Sequence, residues 1–210
     1  LKASPIAIET DQPNIQHYEV PSDFFRVVLG RWMKYSCCFW SENVHTLDDA
    51  EATMLALTCE RSQIAGGMHT LDLGCGWGPV GIIAAKLKPG IQVTMTDINL
   101  RAVELSRRNL ELNGVSAQVL VGDGLEAVPG SFDWILLNPP IRAGKQVVYS
   151  LFDQSAKKLN PGGRLCVVIR KQQGALSARD YLGTLFMDIE LLERRKGYHI
   201  YCCRRGEHEL

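Results

Sequence analysis

Apolar and polar positions follow two different rhythms along this chain, and the change falls at Gly66-Gly67. Before it, Phe24, Phe25, Val27, Val28 and Leu29 gather between Ser22 and Gly30. That cluster predicts a short helix opened by Ser22 and stopped by Gly30. Leu47, Ala50, Met54, Leu57 and Arg61 then recur at helical spacing behind Thr46, so a second helix is expected over 46–62 with Thr46 as its cap. Residues 1–16 are polar, carry Pro5 and Pro13, and read as a loose arm. After Gly67, short apolar runs alternate with helical patterns. Strands are predicted at 69–73, 92–96, 117–121, 132–137 and 164–169, and helices at 80–88, 100–113 and 145–159. A helix over 178–186 leads into two further strands, 189–194 and 199–204, joined as a hairpin by Arg195-Lys196-Gly197.

Strands that alternate with helices in this way lie parallel, with helical crossovers covering both faces. The expected fold is therefore α/β: a doubly wound, seven-stranded, mostly parallel sheet with an antiparallel C-terminal hairpin and a helical N-terminal extension. Residues 1–66 form the arm and a helical lid in this reading, and 67–206 the sheet domain. The 210 residues suffice for one such core, and 46% hydrophobic with 22% charged residues excludes disordered, collagen-like and coiled-coil chains. Apolar runs such as 80–85 and 134–137 fall far short of the ~20 residues of a membrane span. No basic stretch followed by an apolar one opens the chain, so no export signal is expected and the cytoplasm is the expected location.

Basic and acidic residues balance at 23 each. The balance is uneven, because residues 141–206 hold 13 basic against 5 acidic ones, which allows a local phosphate-facing surface. Seven cysteines, with adjacent pairs Cys37-Cys38 and Cys202-Cys203 and no C-x-x-C, argue for reduced thiols and against a disulfide framework or structural zinc. His17, His45, His69 and His199 lack the spacing of a metal site or a triad, so no metal is expected.

Ligands of a doubly wound sheet sit beyond the carboxyl ends of its strands. The first strand runs into Leu71-Asp72-Leu73-Gly74-Cys75-Gly76-Trp77-Gly78-Pro79-Val80-Gly81. Glycines there let the backbone turn tightly and approach a ligand. Gly76, Gly78 and Gly81 satisfy G-x-G-x-x-G, which leaves a dinucleotide reading open. Three carboxylates weigh against it. Asp72 can meet a cationic ligand end, Asp97 stands where ribose hydroxyls are accepted, and Asp123 beside Gly124 can take an adenine amino group. A nucleoside with a positively charged tail fits this set better than a pyrophosphate. The fourth strand ends in Asn138-Pro139-Pro140-Ile141. The Asn138 side-chain oxygen and the Pro139 carbonyl can both accept from one exocyclic amine, turning its lone pair toward an electrophile by positioning and electrostatics. Cys75 reads as a small loop filler, since no adjacent base would activate it.

The glycines with the three aspartates resemble the class I S-adenosylmethionine-dependent methyltransferases. That resemblance implies the Rossmann-like form of the fold and S-adenosyl-L-methionine as cofactor. Its expected contacts are Asp72, Gly74, Cys75, Gly76, Gly78, Asp97, Ile98, Asp123, Gly124 and Asn138. From about residue 71 to 204 the chain is similar to the RsmC-like guanine-N2 methyltransferases of small-subunit ribosomal RNA. The likeness is carried by Asn138-Pro139-Pro140-Ile141-Arg142-Ala143-Gly144-Lys145, Lys171-Gln172-Gln173-Gly174-Ala175 and Lys196-Gly197-Tyr198. It implies that Asn138, Pro139, Pro140 and Ile141 hold the reacting base, and that Arg142, Lys145, Arg170 and Lys171 lie near RNA phosphates. Ile141 departs from the pattern, because base N-methylating enzymes usually end this motif in an aromatic residue that stacks on the base.

Residues 1 to about 78 resemble another group, the cyclopropane-fatty-acid synthases and coclaurine N-methyltransferases. This likeness is carried by His17-Tyr18-Glu19-Val20-Pro21, Phe24-Phe25 and Met33-Lys34-Tyr35-Ser36-Cys37-Cys38-Phe39-Trp40. It implies a helical lid whose Tyr35 and Ser36 touch the cofactor, and an acceptor pocket of Tyr18, Glu19, Tyr35 and Cys37 for a lipid or small amine. The acceptor is thus ribosomal RNA or the small ribosomal subunit on one likeness and a small molecule or lipid on the other. A chain joined at the shared glycine loop, with cofactor binding but no turnover, is the third reading.

Overall fold

A strand can be buried along its length only where both of its faces are covered. Strand β1 (His69–Leu73) is of this kind: Thr70, Leu71, Asp72 and Leu73 are all buried. The computed structural model describes residues 24, 27–31, 38–61, 63–195 and 197–207. Tyr35, Ser36 and the other expected lid and pocket residues at 17–23 and 33–37 lie outside them. Contacts divide the chain into two units, Leu1–Met54 and Leu55–Leu210.

In the first unit, Phe24, Val27 and Val28 are helical where a short helix was predicted. Helix α1 (Leu47–Arg61) begins behind the expected cap, with Asp49 N donating to Thr46 Oγ1 at 3.2 Å. The fully buried Glu51 accepts from Gly30 N at 2.8 Å, and Asp48 accepts from Arg31 N at 2.7 Å. A side chain at Gly30 would collide with both carboxylates, which explains the glycine there.

The second unit carries the sheet. After β1 come α2 (Pro79–Leu87), β2 (Gln92–Asp97), α3 (Leu100–Asn113), β3 (Gln118–Val121) and β4 (Phe132–Leu137). Helix α4 (Lys145–Lys158), β5 (Leu159–Arg170), α5 (Ala175–Leu185), β6 (Asp188–Arg195) and β7 (Tyr198–Arg204) complete it. The strand order is β3-β2-β1-β4-β5-β7-β6; β1 to β5 pair in parallel, while β7 is antiparallel to both β5 and β6. This is the expected seven-stranded sheet with its antiparallel C-terminal hairpin. Among the described residues no helix is long and apolar enough to cross a membrane.

Two differences from the sequence reading have local causes. Strand β5 begins at Leu159, five residues before the predicted start, because Leu159 pairs with Phe132 and the next pair is Trp134 with Arg164. Asn160-Pro161-Gly162-Gly163 bulges out between them, where proline and two glycines read as a stop. The same irregularity turns Phe132, Ile135 and Leu137 to one core cluster and Trp134 to another. Helix α5 begins at Ala175, earlier than predicted, because Gly174 at φ +92° turns the chain from a short 3-10 segment at 171–173 straight into it.

Candidate active site

Pairing register decides which residues meet beyond the strands. Leu73 of β1 is paired with Thr96 of β2 on one side and Leu137 of β4 on the other, and Asp97 is paired with Val121 of β3. One residue on, Gly74, Asp97, Val121 and Asn138 stand side by side, along an edge about 14 Å long at ~4.8 Å per strand, and β2 and β3 end one residue beyond β1 and β4. The sheet order turns outward in both directions from between β1 and β4, the switch point at which such sheets hold ligands.

The loop after β1 is built by its own backbone. Gly74 N and Cys75 N both donate to Thr96 O at 2.9 Å, and Gly78 N donates to Cys75 O at 2.9 Å. Gly74, Gly76 and Gly78 take φ of +71°, +57° and +93°, which only glycine adopts freely. A Cβ on Gly78 would stand 2.6 Å from Met95, so this glycine serves packing. A Cβ on Gly74 would meet nothing within 4 Å, so the backbone there borders open space.

Asp72 is 5% exposed and accepts from Gly81 N at 2.9 Å, at the start of α2. Burial pushes its carboxyl up to about 7; the Gly81 bond pulls it down and neighbouring Asp97 adds a smaller upward push. Asp97 accepts from Gly76 N and from Asn99 N, each at 2.8 Å, so it ties the loop to the end of β2. An ionised carboxylate offers about four acceptor positions, so two bonds leave Asp97 capacity for hydroxyl donors. Ile98 is 67% exposed at the lip beside it. Asp123 is exposed, and beyond Gly124 the Leu125 N donates to Gln154 Oε1 at 2.7 Å. Thr96 Oγ1 is buried near Gly122 without a hydrogen-bond partner. Cys75 is buried and its thiol is pushed up to about 12, chiefly by burial and then by Asp72, so it stays neutral.

Asn138 is exposed at the tip of β4, and Pro139 is buried beneath it. Pro140, at φ −75° and ψ 77°, makes an inverse γ-turn in which Ile141 N donates to Pro139 O at 2.9 Å. The Pro139 carbonyl thus already accepts one backbone donor and keeps one lone pair for a second. Arg142, Lys145, Arg170 and Lys171 are all exposed. Lys145 Nζ lies 5.1 Å over the Tyr149 ring and the Arg170 guanidinium 5.2 Å over the Tyr198 ring. Sequence reading missed the residues that brace the loop: Ser106 Oγ donates to Gly76 O at 2.7 Å and Asn109 Nδ2 to Trp77 O at 2.9 Å. A buried serine on the apolar face of α3 was the available signal for the first.

Residues 43–202 match the family model described as the methyltransferase small domain. The Bacillus subtilis protein YbxB is 41% identical over 155 residues, 72% of this chain and 76% of that one. A coclaurine N-methyltransferase structure, bound to N-methylheliamine and SAH, matches with TM-score 0.65 and 28% identity over 80% of this chain and 50% of that one. The T. thermophilus 16S rRNA N2 methyltransferase RsmC, in complex with AdoMet and guanosine, matches with TM-score 0.63 and 25% identity over 80% of this chain and 45% of that one. The chain spans half the length or less of each of these two structures. Each likeness also covers four-fifths of this chain, so neither is confined to one side of the glycine loop.

Proposed function

Because this chain belongs to the methyltransferase small domain family, of S-adenosylmethionine-dependent methyltransferases, we propose that it methylates an exocyclic amine of a nucleobase, guanine N2 in small-subunit ribosomal RNA. The observation that carries the reading is the register of β1 with β4, which sets Asn138 beside Gly74. The residues present fit the cofactor. Gly74 borders open space, Asp72 is a buried carboxylate with one hydrogen bond, and Asp97 has acceptor capacity to spare. In this proposal Asp72 faces the cationic end, Asp97 takes the ribose hydroxyls, Asp123 and Gly124 border the adenine, and Ile98 covers it. When bound, the cofactor supplies an electrophilic methyl group on a sulfonium.

The chain's own residues do the rest by holding the amine. The Asn138 side-chain oxygen and the remaining lone pair of Pro139 O accept its two hydrogens, and the lone pair of the nitrogen is left pointing across toward the glycine loop. No strong base is required, since the proton leaves after the nitrogen has become cationic. Ile141 gives apolar contact to the ring, and Arg142, Lys145, Arg170 and Lys171 face the phosphates of the strand. RsmC, solved with guanosine, supports guanine as the base, and ribosomal RNA implies the cytoplasm as the place of action. A small amine is the alternative acceptor, by likeness to the coclaurine enzyme solved with N-methylheliamine.

Tritiated methyl transfer to stripped small ribosomal subunits, naked RNA, and panels of amines and lipids separates the two. We expect incorporation into RNA that Asn138→Ala lowers by about a hundredfold or more. Incorporation confined to amines or lipids overturns the RNA reading.

A further inference from the structure

Ile141 stands where an aromatic side chain would stack on a base, and the fold supplies an aromatic face eight residues further on. Ile141 and Tyr149 both line a cavity of about 240 Å³ between the first turns of α4 and α5, closed below by Ile169 of β5. Tyr149 is fixed in place. Its ring stacks on Tyr181 with centroids 3.9 Å apart and planes 18° apart, and its hydroxyl donates to Ser177 O at 2.9 Å with Ser177 Oγ 2.7 Å away. The Tyr181 hydroxyl in turn reaches both carboxylate oxygens of Asp153, at 2.9 and 3.0 Å. With Tyr181 stacked on the ring, the Lys145 ammonium lies 5.1 Å over it and the Phe152 ring packs with its centroid 6.0 Å away. Asn138, Pro139 and Pro140 do not line this cavity. It adjoins the place of the reacting amine through Ile141 alone, so it is suited to a second ring next to the first.

We propose that this cavity receives the nucleobase adjacent to the methylated one in the RNA strand. The inference rests on the RNA acceptor of the preceding section and adds to it a second contact that a small-molecule acceptor would not need. The neighbouring base stacks on Tyr149 from within the cavity, where stacking outweighs the cation–π contact it replaces. Lys145 swings from the ring to the phosphate joining the two nucleotides, with Arg142 and Lys171 on the two short 3-10 segments that flank the opening. Gln173 and Ser177 offer polar atoms to the base edge. Size favours this occupant: 240 Å³ lies under the roughly 300–1,000 Å³ of sites for larger organic ligands. One planar heterocycle fits, and a long acyl chain does not.

Single-stranded RNA 9-mers with one guanine and 2-aminopurine on its 5′ or its 3′ side, titrated into protein saturated with S-adenosylhomocysteine, report the stacking directly. We expect emission to be quenched for one of the two positions, and the quench to vanish in Tyr149→Leu with about ten- to hundredfold weaker RNA binding and unchanged cofactor affinity. Should Tyr149→Leu fold poorly, an abasic nucleotide at the quenched position, bound by the unaltered protein, is expected to weaken binding by the same factor. RNA that binds without quenching at either position, an abasic strand that binds as well as the intact one, or 9-mers that fail to bind at all overturn the proposal. The two readings fail differently. Absence of transfer to stripped subunits by the unaltered protein removes the RNA acceptor itself, whereas transfer indifferent to Tyr149→Leu removes only the second base.

Discussion

Asp72 has apolar neighbours on both sides of β1 and one hydrogen bond, and its carboxyl titrates at about 7. A carboxyl raised above its unfolded value of 3.8 holds its proton more tightly in the folded chain. Its contribution to stability is therefore complete below that value and is lost as pH rises through about 7. A cationic ligand group favours the ionised form, so cofactor affinity is expected to be weakest in acid, to climb through about pH 7 and then to level. Titration calorimetry near pH 6 in two buffers of different ionisation heat should show release of up to one proton per cofactor. Asp72→Asn should remove that release and weaken binding about tenfold or more; the same proton release in the variant would assign it to another group. The glycines of the loop divide by what surrounds them. Gly78→Ala drives a methyl onto Met95 and should lower stability by about 1–3 kcal/mol, seen as a reduced Tm. Gly74→Ala points into open space and should lower cofactor affinity more than Tm. Sequence alone showed that glycines were needed here, but not which serve packing and which serve a ligand, because that depends on Met95 arriving from β2.

At the scale of elements, β4 shows what pairing adds. Its bounds were legible from an apolar run broken only by Asp133, and so was the Asn-Pro-Pro sequence at its tip. Its bulged partner was not, since Asn160-Pro161-Gly162-Gly163 has the composition of a turn and is held against β4 by Leu159 pairing with Phe132 and by Asn160 Nδ2 donating to Asp133 Oδ1 at 2.8 Å. Gly163 sits where a Cβ would lie 2.8 Å from Asn160 O and 3.0 Å from Phe132 O. Gly163→Ala is accordingly expected to cost about 1–3 kcal/mol and to speed amide exchange in 132–137. Unchanged exchange there would mean that the bulge relaxes without disturbing β4. The inverse γ-turn at Pro140 was half legible: proline set φ, but the donor that engages the Pro139 carbonyl is the backbone of Ile141, and no residue type announces it.

For the whole molecule, the excess of 13 basic over 5 acidic residues in 141–206 matters through where the fold puts it. Arg142, Lys145, Arg170 and Lys171 come from the ends of β5 and α4 and from the two 3-10 segments, all at the carboxyl side of the sheet, after β4 and its neighbour β5. If these four cations meet phosphates, log affinity for single-stranded RNA should fall against log salt with a slope on the order of −3, and Lys145→Ala should flatten it by about 0.7. A slope near zero would remove the backbone contacts from the account. What the residues determined by themselves is the alternation of strand and helix, the glycine loop, the aspartates at successive strand ends and the Asn-Pro-Pro tip. Each is a local pattern, set by a side-chain period or by the conformational limits of glycine and proline. Tertiary structure alone decided that four strand ends fall within one residue of level, so that Asn138 adjoins Gly74, and that Tyr149 closes a cavity beside Ile141. Both are matters of register and packing between residues far apart in the chain, and no local pattern encodes the distance between them.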